Sequence, residues 1–226
     1  MQDERRPRIG LVVPSAQVVT EPLFNAAKGD QWDFVTSRVL LRGARAADLQ
    51  EMEHEISRAA TELSTARVDA LASCCTASGA ISGAEKDEAT CREIAQTVGA
   101  PVTSTMLSIV ANLRALGARL LTVVTPYVGE LATVEHQYLE DNGFRVVSHH
   151  DGEIDDPFEM STQPVQEIIA RAREAWAPEA DAVLLSCMNW PTHRAIEVLQ
   201  AETGIPVVTS HSATLWNLER LLGATA

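Results

Sequence analysis

The chain has 226 residues, of which 46% are hydrophobic, and a formal net charge of −13. This composition is typical of a folded protein with a sizeable core. The negative charge argues against nucleic acid and anionic membranes as partners, because both attract basic surfaces. The one basic cluster, Arg5, Arg6 and Arg8, is interpreted as a solvated chain end.

The N-terminal segment "MQDERRPRIG" is charged and lacks the apolar stretch of a signal peptide. No run approaches the roughly 20 apolar residues of a membrane span. We therefore expect a cytoplasmic protein. In that compartment Cys74, Cys75, Cys91 and Cys187 are core residues, metal ligands or catalytic thiols rather than disulfides. No CxxC pair or spaced histidine pair accompanies them, so we predict no metal and no cofactor.

Short apolar runs alternate with helical patterns along the chain, which is typical of βαβ units and a parallel sheet. In the first half the predicted strands cover 8–14, 32–41, 68–74 and 100–105, and the predicted helices cover 46–66, 85–99 and 106–117. The same order returns with strands over 118–127, 144–150, 180–187 and 204–210 and helices over 128–143, 162–177, from Cys187 to about 203, and 213–223.

The halves match in spacing as well as in order. Six residues separate Asp69 from Cys75, and six separate Asp181 from Cys187. Chance similarity between two α/β segments is the open alternative. We predict an α/β fold with two pseudo-symmetric lobes, each a four-stranded parallel sheet flanked by helices, with the active site in the cleft between them. The N-terminal lobe would comprise 1–112, completed by the C-terminal helix 212–226, and the other lobe 113–211.

Each half ends its third strand in a thiol. Ligands of parallel sheets bind outside the carboxyl ends of the strands, so Cys75 and Cys187 are expected to face one cleft from opposite sides. A helix start after each thiol is expected to lower its pKa. Cys74 should face the other way, since adjacent strand residues point to opposite faces, and Cys91 is expected to serve packing only.

Several segments together resemble a known family. They are "GLVVPSAQVVTEP" (10–22), "CTASG" (75–79), "NLRALG" (112–117), "VVTPYVGEL" (123–131), "LLSC" (184–187), "GIPVVTS" (204–210) and "LWNLERLLG" (215–223). The combination resembles the aspartate/glutamate racemase superfamily, in the branch of maleate cis-trans isomerase and arylmalonate decarboxylase. The resemblance implies cofactor-independent chemistry on small carboxylates, with Cys75 and Cys187 as the catalytic pair. The decarboxylases have glycine at the first position, so Cys75 favours an isomerase or racemase.

Two departures concern the substrate. Maleate isomerases resemble "PSSN" after the first strand, where this chain has Pro14-Ser15-Ala16-Gln17. Their second carboxylate-binding asparagine lies in an "EDN" type segment, where this chain has Pro157. We therefore expect maleate to be held poorly.

The remaining candidate residues surround the thiols. Backbone amides at Thr76, Ala77, Met188 and Asn189 are expected to cradle a carboxylate or enolate, as an oxyanion hole does. Tyr127 corresponds to a family tyrosine that donates to the substrate carboxylate. The further substrate-binding candidates are Ser15, Gln17 and His211. The acidic stretch 151–156 is either a solvated loop or a mobile lid.

The sequence therefore predicts an isomerase of a small carboxylate, expected to form a homo-oligomer. Either one thiolate adds to a C=C bond that then rotates, or one thiolate removes an alpha proton while the other thiol returns one to the opposite face. Two alternatives stay open: a malonate-type decarboxylase with Cys187 as proton donor, and a non-catalytic sensor of small carboxylates.

Overall fold

A computed structural model describes residues 5–223 of the chain. The strands are β1 (Arg8–Pro14), β2 (Asp33–Val39), β3 (Ala70–Ser73), β4 (Val102–Ser104), β5 (Leu120–Thr125), β6 (Arg145–Asp151), β7 (Ala182–Leu185) and β8 (Val207–Thr209). The α-helices are α1 (Thr20–Lys28), α2 (Ala46–Thr65), α3 (Thr76–Ser82), α4 (Ala84–Val98), α5 (Thr105–Ala115), α6 (Gly129–Asp141), α7 (Val165–Ala175), α8 (Ile196–Thr203) and α9 (Ser210–Gly223).

The strands form two four-stranded parallel sheets of the same topology. Their orders are β2-β1-β3-β4 and β6-β5-β7-β8. The central strands are buried and apolar, as expected for parallel sheets covered by helices on both faces. The predicted fold class and the internal repeat are confirmed.

Two aspartates give the repeat a physical basis. The Oδ2 atom of Asp69 accepts a hydrogen bond from the Arg8 N–H at 2.6 Å, where β1 begins. The Oδ2 atom of Asp181 accepts from the N–H groups of Arg119 and Leu120 at 2.8 Å, where β5 begins. In each half the aspartate before the third strand therefore fixes the start of the first strand, and the cysteine follows at the other end.

Some elements differ from the predictions. Helix α1 was not predicted, α3 was predicted only as a helix start after Cys75, and 3₁₀ turns occur at Glu159–Thr162 and Thr192–Arg194. No helix directly follows Cys187, and α8 begins only at Ile196. Pro191 accounts for this delay, because a proline disfavours helical backbone in the residue before it.

The C-terminal helix α9 packs mainly on the N-terminal half, against α5, β3, β4 and α1. The Asn217 amide donates to the hydroxyls of Thr103 at 2.9 Å and Ser108 at 3.2 Å. This contact is compatible with the predicted lobe division, whose boundaries stay a prediction, and residues 1–4 and 224–226 lie outside the described residues. Within 5–223, no helix combines the length and apolar character needed to cross a bilayer.

Candidate active site

A small cavity of about 40 Å³ lies where β3 and β7 end. Cys75 and Cys187 both line it, together with Tyr127. The remaining lining residues are Gln17, Leu41, Ala44, Leu49, Thr76, Ala77, Leu131, Pro157, Met160, Met188 and Asn189. The topology thus brings the two predicted thiols to one small volume.

Cys75 is the residue that precedes helix α3, so its sulfur lies near the first backbone amides of that helix. Burial raises the pKa of the Cys75 thiol to about 12, and hydrogen bonds from the N–H groups of Ser78 and Ala77 oppose that rise. A charge on Cys187 raises the pKa of Cys75 further. The two thiols therefore interact, and the site favours at most one thiolate at a time.

Cys187 has a different set of neighbours. Its Sγ atom accepts a hydrogen bond from the Asn189 N–H at 3.3 Å and lies 3.9 Å from the Met160 sulfur. Burial raises its pKa to about 12, although the Tyr127 hydroxyl and the Asn189 amide both lower it. The Tyr127 hydroxyl is thus positioned beside the second thiol and within the cavity.

The predicted low thiol pKa values are wrong for the two buried thiols of this structure. Desolvation dominates at both sulfurs and outweighs the backbone donors. The expected helix N-terminus exists only at Cys75, because a tight turn follows Cys187. Formation of a thiolate here requires that water or a polar substrate replaces part of the apolar surroundings.

The segment after β6 covers the cavity. Pro157 and Met160 line it, and the Pro157 carbonyl accepts a hydrogen bond from the Asn189 side chain at 2.7 Å. The Ile154 N–H donates to the Pro126 carbonyl at 3.1 Å, next to Tyr127. The side chains of Glu153, Asp155 and Asp156 are exposed, while Asp151 is half-buried and Ile154 is buried. This position is that of a lid rather than of a freely solvated loop.

The two side-chain amides at the cavity are already bound to protein groups. The Gln17 amide donates to the Cys74 carbonyl at 2.8 Å, and its oxygen accepts from the Thr20 hydroxyl at 2.7 Å. The Asn189 oxygen accepts from the Val18 N–H at 2.9 Å. Both amides therefore fasten the first loop to the strand ends and leave little hydrogen-bonding capacity for a ligand.

Two predicted binding residues do not line the cavity. The Ser15 hydroxyl accepts a hydrogen bond from the Leu41 N–H at 3.0 Å and fixes the first loop to the chain after β2. The His211 Nε2 atom lies 2.8 Å from the Met188 carbonyl, and burial lowers the pKa of His211 to about 4. A neutral His211 therefore stabilises the turn after Cys187 through the Met188 carbonyl and does not contact the cavity.

The apolar wall of the cavity was not predicted. It consists of Leu41, Ala44, Leu49, Leu131 and Met160. The helical stripe containing Leu49 was visible in the sequence, but a stripe of this kind indicates a core face without indicating a cavity.

A buried carboxyl group was also missed. Glu135 on α6 has no solvent exposure, and neither carboxyl oxygen makes a well-directed hydrogen bond. Burial raises its pKa to about 8, and the Ser186 hydroxyl next to Cys187 partly opposes this. Helical spacing could have indicated that Glu135 is buried, because it shares the inner face of α6 with Leu131, Ala132 and Tyr138.

Cys74 packs on the opposite face of β3, in an apolar cluster with Val13, Phe24 and Met188. We expect Cys74→Ala to retain most turnover and to lower the free energy of unfolding by about 1 kcal/mol or more, because a fully buried side chain is shortened. Denaturant unfolding and a turnover assay on the same preparation measure both effects. A folded Cys74→Ala protein as inactive as Cys75→Ser would show that the wrong neighbour was chosen.

Two parallel sheets of identical topology, with one thiol at the end of each third strand and both thiols in one cavity, define a two-lobed α/β enzyme with a cysteine pair. A model of the arylmalonate decarboxylase family matches residues 9–226, and the chain belongs to this family.

Curated relatives cover nearly the whole chain. A maleate isomerase from Geobacillus stearothermophilus is 30% identical over 95% of this chain and 91% of its own length. A maleate isomerase from Nocardia farcinica is also 30% identical, over 95% and 90%. An arylmalonate decarboxylase from Bordetella bronchiseptica is 26% identical over 100% and 95%.

A solved structure shares the fold throughout. It is the Nocardia farcinica maleate cis-trans isomerase, as a cysteine-to-serine variant with a covalently bound succinylcysteine intermediate. Its TM-score is 0.92 at 27% identity, covering 97% of this chain and 94% of that one. The comparisons confirm the predicted superfamily branch and the predicted class, an isomerase.

Proposed function

We propose that this isomerase interconverts the geometric isomers of a small unsaturated carboxylate, with Cys75 as nucleophile and Cys187 as acid and base. The observation that supports it best is that both thiols line one small cavity from the ends of two equivalent strands. The Tyr127 hydroxyl beside Cys187 supplies a hydrogen-bond donor at the same place. The backbone amides after Cys75 supply further donors for a developing charge.

In the proposed reaction the Cys75 thiolate forms an S–C bond to one alkene carbon. The π electron pair moves to the neighbouring carbon and its carboxylate, and the Cys187 thiol donates a proton to that carbon. The former double bond is now single and rotates. Cys187 then removes the proton, the C=C bond re-forms, and the S–C bond breaks to return the Cys75 thiolate. Atoms and charge balance, so the reaction requires no cofactor.

The assignment of roles rests on the different surroundings of the thiols. The backbone N–H groups of Ala77 and Ser78 lower the pKa of Cys75, and they stabilise an anion without donating a proton to carbon. Cys187 is next to Tyr127 and near the buried Glu135, both of which carry protons at neutral pH. A thiol and thiolate pair is also the state that their mutual repulsion favours.

We infer a substrate with one bound carboxylate and an apolar second group. Tyr127, Thr76 and Ala77 line the cavity and offer hydroxyl and backbone N–H groups that suit a carboxylate. Leu41, Ala44, Leu49, Leu131 and Met160 also line it and suit an alkyl or aryl group.

Maleate is expected to be a poor substrate, because its second carboxylate meets this apolar wall. The Gln17 amide is bonded to Cys74 and Thr20, and Pro157 has no side-chain donor. Loss of a charge-assisted hydrogen bond costs roughly 1.5–3 kcal/mol, or about 10–150-fold in kcat/KM. The measurement compares maleate with a (Z)-2-alkenoate that carries an apolar substituent. Faster conversion of maleate would contradict this inference.

Proton NMR in D₂O tests the reaction class with a panel of (Z)-alkenoates, maleate, amino acids and substituted malonates. Geometric isomerisation yields the (E)-alkene. A two-base racemase would instead place deuterium at the alpha carbon. Racemisation is the second candidate function, because it also requires two thiols at one cavity. Loss of CO₂ from a malonate would favour a decarboxylase. Absence of turnover across the panel, with tight binding of a carboxylate, would favour a sensor.

The setting of the reaction is also a proposal. Four free cysteines suit a reducing compartment such as the cytoplasm. The acidic net charge suits a protein without nucleic-acid or membrane partners. We also propose a homo-oligomer, and only the family resemblance supports this.

A further inference from the structure

Three metal-ligating side chains meet at the carboxyl end of β6, and none of them lines the cavity that holds Cys75 and Cys187. His149 and Asp151 are two residues apart on β6 and project from the same face, while His136 projects from the neighbouring helix α6. One ligand atom from each lies within 4.8 Å of the other two.

The distances suit a common cation. The His136 Nε2 atom lies 3.3 Å from one Asp151 oxygen, and the His149 Nδ1 atom lies 3.0 Å from the other. Ligand atoms bound to tetrahedral Zn²⁺ at 2.0–2.2 Å are separated by about 3.3–3.6 Å from one another. Small side-chain rotations therefore bring the three atoms to a single ion.

The atoms that face each other lack other partners. The His136 Nε2 atom and the Asp151 Oδ1 atom are both buried and make no well-directed hydrogen bond. Such groups destabilise a fold unless something satisfies them. The side chain of His149 is 53% exposed, so the cluster opens to solvent on one side and leaves room for an ion to enter and keep a water ligand.

We propose that His136, His149 and Asp151 form a binding site for a borderline divalent transition-metal ion such as Zn²⁺. Two imidazoles and one carboxylate match the preference of these ions, and the open side leaves a further coordination position.

The site would hold α6 to the start of the lid. Asp151 is followed by Gly152, whose backbone approaches Pro126 so closely that an added Cβ would lie 2.5 Å from the Pro126 carbonyl oxygen. The chain then continues to Pro157 and Met160 over the thiols. A bound ion therefore fixes the first residues of the segment that covers the cavity.

Calorimetric titration of the chelator-treated protein with Zn²⁺ tests the site directly. We expect one equivalent to bind and the thermal midpoint to rise. Asp151→Asn and His149→Ala should each weaken binding at least about 10-fold and remove most of the thermal shift. His150→Ala is the matched control, because His150 is the next strand residue and faces Glu174 at 3.8 Å instead.

Titration with Co²⁺ excludes the thiols as the origin of binding. Visible d–d bands without an intense thiolate charge-transfer band would support nitrogen and oxygen ligands. A thiolate band, equal affinity in all four proteins, or no binding at all would each overturn the proposal. The site is independent of the proposed reaction, since these readouts do not use turnover.

Discussion

Replacing Cys75 or Cys187 by serine is expected to lower turnover by about 1,000-fold or more in each case, with no comparable further loss in the double variant. Serine is close in shape, but its hydroxyl is a much weaker acid and does not form the anion that adds to carbon. The losses do not add because each thiol needs the other to complete the cycle. Steady-state kinetics on the substrate found by NMR measure all three variants.

Cys91→Ser is the matched control, since Cys91 lies mid-helix on α4 and does not line the thiol cavity. It should keep near-native turnover. Circular dichroism and thermal unfolding must show that the Cys75→Ser and Cys187→Ser proteins are folded. Near-native turnover in a folded double variant would refute two-cysteine catalysis.

Glu135→Gln is expected to change how stability depends on pH. Glu135 has its pKa raised by burial from 4.5 to about 8, so the folded state keeps a proton that the unfolded state has lost. Below pH 4.5 the residue is protonated in both states, so its burial costs no ionisation free energy. As the pH rises toward 8 the unfolded state is increasingly favoured, and the free energy of unfolding of the wild type falls. The full difference corresponds to about 5 kcal/mol as an upper limit.

Glutamine cannot titrate, so the stability of Glu135→Gln relative to wild type should improve by several kcal/mol between pH 4.5 and pH 8. Urea unfolding across that range measures the change. Glu130→Gln is the control, because Glu130 is exposed in the first turn of the same helix. Parallel stability curves for wild type and Glu135→Gln would mean that Glu135 ionises freely in the folded protein.

Much of the fold is encoded locally. Apolar runs of strand length separated by helical periodicity are sufficient to predict the strands, because a parallel sheet buries both faces of each strand. The equal spacing of Asp69 to Cys75 and Asp181 to Cys187 also follows from a local requirement, since each aspartate fixes a strand start. Helix α1 was missed because its sequence includes Pro22, which is tolerated in the first turn only.

The electrostatic character of the site was not predictable from local sequence. Helix-start amides suggested thiolates, whereas the assembled cavity desolvates Cys75 and Cys187 and raises both pKa values. The lid over Cys187 and the approach of His136 to Asp151 are likewise contacts between distant parts of the chain. Burial and long-range contacts depend on tertiary packing. A local residue pattern indicates only which secondary structure is favoured, and not which side chains will meet.

The central claim is covalent addition of Cys75 to the substrate, and intact-protein mass spectrometry of Cys187→Ser tests it most directly. In Cys187→Ser the proton that completes the thioether comes from the Tyr127 hydroxyl or from water instead. No thiolate is then present to remove that proton, so the thioether should accumulate. We predict a mass increase equal to one substrate molecule, mapped by peptide analysis to Cys75 and absent from Cys75→Ser. An adduct on Cys187 in the Cys75→Ser protein, with none on Cys75 in the Cys187→Ser protein, would contradict the assigned roles.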